Sequence, residues 1–215
     1  MPDHVATTIA TYDRFAADWV EVANNDEIDR WIKDSIRKFV ELLPTSKVLV
    51  PGCGDGRDSQ YLGEIGNEVE SFDLSSGMLQ FAAKRNVPGR LWQMDLRDVG
   101  SLQGKYGGVF ASGCLYHLTP EEFLRFVSET SQILQPKGVF YLNMKIGEGV
   151  EMRRVPKDNY PGGTEAQTRL QGDRYYAYYS ESELDDIVSK VFEIRSKRRL
   201  QPHTEEVMEY WLVLH

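Results

Sequence analysis

The chain has 215 residues, of which 41% are apolar, and a formal net charge of −8. That length suits one domain, 1–215, with room for a small insertion rather than a second full domain. The acidic balance speaks against a nucleic-acid partner, which asks for a basic face, and no apolar run approaches the roughly 20 residues that cross a bilayer.

The first residues, Met1 to Phe15, show no basic segment leading into an apolar stretch, so no secretory leader is expected and a cytoplasmic location follows. Tyr12, Phe15 and Trp19 stand at helical spacing, as do Ile28, Trp31, Ile32, Ile36, Phe39, Val40 and Leu43. Asn24 with Glu27 has the capping-box pattern, and Pro44 ends the stripe, so residues 1–44 read as a helical cap. Lys47 to Pro51 is a short apolar strand that runs into Gly52-Cys53-Gly54-Asp55-Gly56. A helix is predicted over 58–64, a strand over 68–72 ending at Asp73, and a helix capped by Ser75 that carries Met78, Leu79, Phe81 and Ala82. A strand over 90–94 ends at Asp95, and another spans 106–113.

Thr119-Pro120-Glu121-Glu122 is a helix start with cap, proline at the first position and box glutamate. Pro136-Lys137-Gly138 turns into a strand over 139–144, residues 145–179 lack clear periodicity, and Ser180 with Glu183 boxes a further helix. Two strands, 191–200 and 206–215, close the chain, and Lys197-Arg198-Arg199 reads as a solvated strand edge. Alternating strands and helices predict an α/β, doubly wound, mostly parallel sheet covered on both faces. Such sheets bind ligands at the carboxyl ends of their strands, where strand order reverses.

Three features fall in order at strand ends. Gly52-x-Gly54-x-Gly56 offers bare backbone before a helix N-terminus, although three glycines also occur in ordinary turns. Asp73, 17 residues past Gly56, can accept both hydroxyls of a ribose. Asp95 can accept from an adenine amine. With these residues the chain resembles the class I methyltransferases that use S-adenosylmethionine, over roughly residues 45–145. NAD-binding domains typically show Gly-x-Gly-x-x-Gly, which is missing here. Many class I members carry aspartate where this chain has Val50; Leu49 to Asp58 is instead similar to the small-molecule branch with thiopurine and thiol methyltransferases. Asp55, Asp58 or backbone carbonyls are then left to hold the methionine ammonium.

The resemblance implies a seven-stranded sheet in order 3-2-1-4-5-7-6 and a cofactor-binding core over 45–145. It implies methyl transfer to oxygen, nitrogen or sulfur of a small acceptor by a monomer or homodimer. Cofactor contacts are expected from Gly52, Cys53, Gly54, Gly56, Asp73, Leu74, Asp95, Leu96 and Gly113, with Met78 near the adenine or in the core. Tyr12, Arg14 and Trp19 lie in a segment similar to one that covers the cofactor in small-molecule methyltransferases; plain helix packing is the other reading. Residues 146–180 are expected as a substrate-side insertion or lid.

His117 follows the fourth strand, where an ordinary pKa near 6.5 suits a general base, or where it orders the loop. Trp19, Tyr116, Lys145, Arg174 and Tyr178 are candidate substrate contacts; a lysine plus an Arg/Tyr cluster suits an anionic or aromatic acceptor, or a half-buried strand. Cys53 and Cys114 are read as packing residues, and no metal site is expected, since neither zinc spacing nor an Asp/Asp/Asn set occurs. An RNA (tRNA) methyltransferase and a non-catalytic binder of the same cofactor are the alternative functions.

Overall fold

The structure, a computed structural model, describes residues 3–23, 26–155, 170, 172–201 and 205–215, without the side chains of 26, 27 and 155. Three helices open the chain: α1 (His4–Arg14), α2 (Ala16–Ala23) and α3 (Asp26–Leu42). The Asp3 side chain caps α1 by accepting from the Val5 N–H, whereas the expected Asn24/Glu27 box lies outside the described residues. Strands and helices then alternate as β1 (Lys47–Pro51), α4 (Arg57–Glu64), β2 (Glu68–Asp73), α5 (Ser76–Lys84), β3 (Arg90–Gln93), β4 (Tyr106–Ala111), α6 (Pro120–Ile133) and β5 (Leu134–Lys145). A hairpin follows, β6 (Val150–Val155) and β7 (Gly172–Ala177), then α7 (Glu181–Val188), β8 (Phe192–Leu200) and β9 (Val207–Leu214). Both capping boxes form: Thr119 exchanges bonds with Glu122, and Ser180 with Glu183.

The main sheet runs β3-β2-β1-β4-β5-β9-β8, the expected order once its own seven strands are counted. β1 to β5 pair in parallel, and β9 runs antiparallel to β5 and β8. The stretch after β5, expected as an insertion, lies outside the main sheet. Its described part is a separate two-stranded antiparallel sheet, with Met152 opposite Tyr175 and Arg153 opposite Arg174. Its residues 156–169 lie outside the described residues.

Strand alternation divides the core. Val48 and Val50, Phe110, Tyr141 and Trp211 meet Ile32, Ile36 and Phe39 of α3 and Leu62 of α4 on one face. Leu49, Val109, Phe140, Leu142 and Tyr210 meet Phe123 and Phe126 of α6, Leu184 of α7 and the hairpin's Tyr175 and Ala177 on the other. Among the described residues no helix is long and apolar enough to cross a membrane.

A buried carboxylate pins α3 to the sheet. Glu209 of β9 is fully buried and accepts from Trp31 Nε1 at 2.8 Å, Ser35 Oγ at 2.5 Å, Tyr141 Oη at 2.7 Å and Arg198 Nε at 2.6 Å. α1 is tied on two sides. Thr11 Oγ1 donates to the Asp173 carbonyl at 2.8 Å, and the Tyr175 N–H donates to Thr8 Oγ1 at 3.0 Å. Asp13 accepts from Ser75 Oγ at 2.6 Å and from the Gly77 N–H at 2.8 Å at the start of α5. α1 therefore roofs the carboxyl edge of the sheet between α5 and the hairpin.

Glu209→Ala strands an indole N–H, two hydroxyls and a guanidinium. It is expected to lower unfolding stability by several kcal/mol, since each buried donor left unsatisfied costs about 1–3 kcal/mol, and Glu209→Gln by less. Urea unfolding checks this: an unchanged midpoint for the alanine variant would deny the network its anchoring role.

Candidate active site

A cleft of about 310 Å³ lies beneath this roof, where β1 and β4 diverge and strand order reverses. Gly52, Cys53 and Gly54 line it from the end of β1, Asp73 and Leu74 from β2, Asp95 and Leu96 from β3, and Gly113 and Tyr116 to Leu118 from β4. Tyr12, Trp19, Met78 and Arg174 complete the predicted residues brought together there.

The floor is built from backbone. The Cys53 N–H donates to the Phe72 carbonyl at 3.0 Å, locking the glycine turn onto β2. Gly54 has φ +56, and a Cβ on it would project into open space, so bare backbone faces the cleft. The Gly54 N–H donates to Asp73 Oδ2 at 2.8 Å, and the Ser75 N–H donates to Asp73 Oδ1 at 2.8 Å. Burial pushes the Asp73 carboxyl above its ordinary pKa, against the pull of these N–H donors. Each carboxylate oxygen keeps a lone pair for a further donor.

Leu74, Met78, Met94 and Leu96 give the next section apolar walls, with Met78 buried. Asp95 lines this section too, but its carboxylate is engaged. Oδ1 accepts from the Arg97 N–H at 2.9 Å, and Oδ2 accepts from the Arg97 guanidinium at 2.7 and 3.0 Å. Any ligand amine therefore shares Asp95 with Arg97.

Opposite the glycine turn, polar groups form a chain. His117 Nδ1 stands 2.6 Å from the Tyr175 carbonyl oxygen, which can only accept, so Nδ1 carries the proton. Nε2 then accepts from Tyr12 Oη at 2.9 Å, and Tyr12 Oη accepts from the Arg174 guanidinium at 3.0 Å. Tyr12, Tyr116 and Tyr176 rings enclose the imidazole, with centroids at 5.6, 4.7 and 5.0 Å. Burial, aided by the charges of Arg174 and Lys145, pushes the His117 pKa down to about 3. With Nε2 occupied by the Tyr12 hydroxyl and its basicity suppressed by burial, His117 is placed to orient Tyr12.

Gly56, Lys145 and Tyr178 do not line the cleft. Gly56 is a packing position: a Cβ there would stand 2.3 Å from Val87 Cγ2. Lys145 pairs with Glu205, its Nζ 4.6 Å from the Tyr176 ring centroid and 5.2 Å from that of Tyr116. Tyr178 donates to Glu151 Oε1 at 2.7 Å, one residue beyond the end of β7. Arg14 rests over Phe15 and is likewise outside the lining. Asp55 and Asp58 line the cleft, each bonded to an arginine, Arg85 and Arg57 respectively. Cys53 and Cys114 are free, buried thiols whose pKa values burial raises, in keeping with packing roles.

Val5, Thr8 and Ile9 of α1 also line the cleft, on the same face as Tyr12. Their i, i+3, i+4 spacing carried the signal, but Thr8 breaks the apolar stripe. Asn143 supports the site from β5, accepting from the Gly113 N–H at 2.7 Å.

Residues 48–138 match the family model described as a methyltransferase domain. An uncharacterized methyltransferase from Synechocystis sp. is 32% identical over 102 residues, covering 47% of this chain and 48% of that protein. The chain spans less than half the length of the curated relatives it matches. Two solved structures share the fold. Magnesium protoporphyrin IX methyltransferase from Synechocystis PCC 6803, with bound SAM, is 17% identical with a TM-score of 0.74, covering 100% of this chain and 99% of that one. The 1,6-didemethyltoxoflavin-N1-methyltransferase of Burkholderia thailandensis, with its substrate and S-adenosylhomocysteine, is 20% identical with a TM-score of 0.70, covering 98% and 88%.

The depressed His117 pKa sets a stability window. The unfolded chain takes up a proton near pH 6.5 that the folded imidazole refuses until about pH 3. Stability therefore rises with pH across that window and is lost as pH falls through it. His117→Asn keeps a donor toward the Tyr175 carbonyl without the titration. It is expected to flatten the melting-temperature profile between about pH 3 and 6.5; an unchanged slope would contradict the assignment.

Proposed function

We propose that the chain transfers a methyl group from S-adenosylmethionine to an oxygen, nitrogen or sulfur atom of a small molecule, a reading supported by the match of residues 48–138 to the methyltransferase domain model and by the fold shared with the magnesium protoporphyrin IX methyltransferase. The observation that carries this reading is Asp73, held by the Gly54 and Ser75 N–H groups at the head of a cleft floored by bare backbone. A diol-bearing ligand is what a carboxylate so placed is suited to accept from.

In this reading Asp73 receives the ribose hydroxyls, Leu74, Met78 and Leu96 hold the adenine, and Asp95 shares its carboxylate between Arg97 and the adenine amine. Gly52 to Gly54 and Gly113 let backbone approach the methionine half, whose ammonium finds the carboxylates of Asp55 and Asp58 where Val50 offers none. Bound S-adenosylmethionine supplies a methyl already activated on a sulfonium and open to in-line displacement. The chain's own part is to position the acceptor and exclude water, and positioning alone can contribute about 7–11 kcal/mol. Tyr12, Trp19 and Tyr116 offer aromatic walls, which attract a cation by ~0.5–2 kcal/mol. His117 keeps the Tyr12 phenol fixed among them. The roof over the cleft and the net charge of −8 favour a small acceptor over a nucleic acid.

Calorimetric titration with S-adenosylhomocysteine tests the cofactor. Binding is expected, and Asp73→Ala should weaken it about 10-fold or more, since a hydrogen bond to a charged group is worth ~1.5–3 kcal/mol. No binding at millimolar ligand, or equal binding by the variant, would overturn the reading. Incubation with labelled S-adenosylmethionine and a metabolite extract tests turnover; binding without a labelled product would leave a cofactor-binding protein and no enzyme.

A further inference from the structure

Arg174 is 6% exposed, yet it lines the cleft. Its guanidinium carbon lies 4.0 Å from the Trp19 ring centroid, 5.2 Å from that of Tyr176 and 5.4 Å from that of Tyr12. Its hydrogen bond is to a neutral phenol, Tyr12 Oη. Its Nε is buried without a partner, and so is Trp19 Nε1 beside it. Lys145 and Arg153 stand nearby, but both pair with Glu205. Among the described residues no carboxylate forms an ion pair with Arg174.

A buried cation faced by rings and a phenol is costly unless an anion completes it. Guanidinium presents five N–H donors in a planar fork that matches a carboxylate. Here two stacked residues that line one ligand cleft, Arg174 and Trp19, each carry a buried donor without a partner. We propose that Arg174 is an anion subsite that receives the carboxylate of the methyl acceptor, so that the substrate class is a small carboxylic acid. This deepens the methyl-transfer reading and rests on it. The methionine carboxylate of the cofactor has the same chemistry, and the test separates the two sources.

Four probes are titrated into wild type and Arg174→Met: S-adenosylhomocysteine, 5′-methylthioadenosine (which lacks the amino-acid half), benzoate, and benzyl alcohol as its uncharged counterpart. Benzoate is titrated with and without S-adenosylhomocysteine. The proposal expects benzoate to bind wild type at least tenfold more tightly than benzyl alcohol does, and Arg174→Met to abolish that preference. S-adenosylhomocysteine affinity should change less than threefold between the two proteins. A loss of S-adenosylhomocysteine affinity with methylthioadenosine unaffected would overturn the assignment by giving the subsite to the cofactor. Indifference of every probe to the substitution would overturn the subsite altogether. Failure of S-adenosylhomocysteine to bind wild type would sink the methyl-transfer reading instead, and the benzoate titration without it would still report on Arg174. Arg174→Lys keeps the charge and should retain part of the benzoate preference. The melting temperature of ligand-free Arg174→Met should equal or exceed that of wild type, because an unpaired buried charge is removed; a large fall would point to a purely structural arginine.

Discussion

The bond between the Gly54 N–H and the Asp73 carboxylate joins the tips of two neighbouring strands, and the rest of the cleft is arranged around it. The same carboxylate takes the Ser75 N–H and so fixes where α5 begins. Ser75 in turn caps α5 through the Met78 N–H and donates to Asp13, which ties down the roof helix. Floor, wall and roof therefore meet within three residues, 73–75. A change at Asp73 would disturb the shape of the cleft as well as its chemistry, because one group serves as backbone acceptor and as the acceptor offered to a ligand.

Across the cleft, hydrogen bonds run one way: from Arg174 to Tyr12, from Tyr12 to His117, and from His117 to the Tyr175 carbonyl. The direction follows from the ends, since a guanidinium only donates and a carbonyl only accepts. It fixes the histidine tautomer and leaves Nε2 engaged by the Tyr12 hydroxyl. Position alone allowed a base or a loop-ordering residue at 117; burial and these bonds favour a strut. The chain also joins α1, the loop after β4 and the hairpin, three segments far apart in sequence that together line this side of the cleft.

The parallel sheet was legible because period-2 strands and period-3.6 helices alternate with clear stops, and because the boxes at Thr119 and Ser180 are local chemistry that context left intact. The glycine turn, Asp73 and Asp95 were legible for the same reason: each sits at the end of its own strand. The hairpin was not, because Arg174, Tyr175, Tyr176 and Ala177 are buried in succession, with no alternation to read. Arg174 meets Tyr12 across 162 residues, a contact that no local pattern encodes. Lys145 and Tyr178 looked like cleft residues by composition, and long-range partners, Glu205 and Glu151, draw them elsewhere. The engagement of Asp95 by Arg97, only two residues on, was within reach of sequence, since aspartate before arginine at that spacing can cap and pair at once.

A crystal structure with S-adenosylhomocysteine tests the central claim most directly. The account predicts both ribose hydroxyls within about 2.6–3.0 Å of the Asp73 carboxylate oxygens, with the Gly54 N–H still donating to Oδ2. A ligand seated elsewhere, or a ribose in the cleft without contact to Asp73, would contradict it.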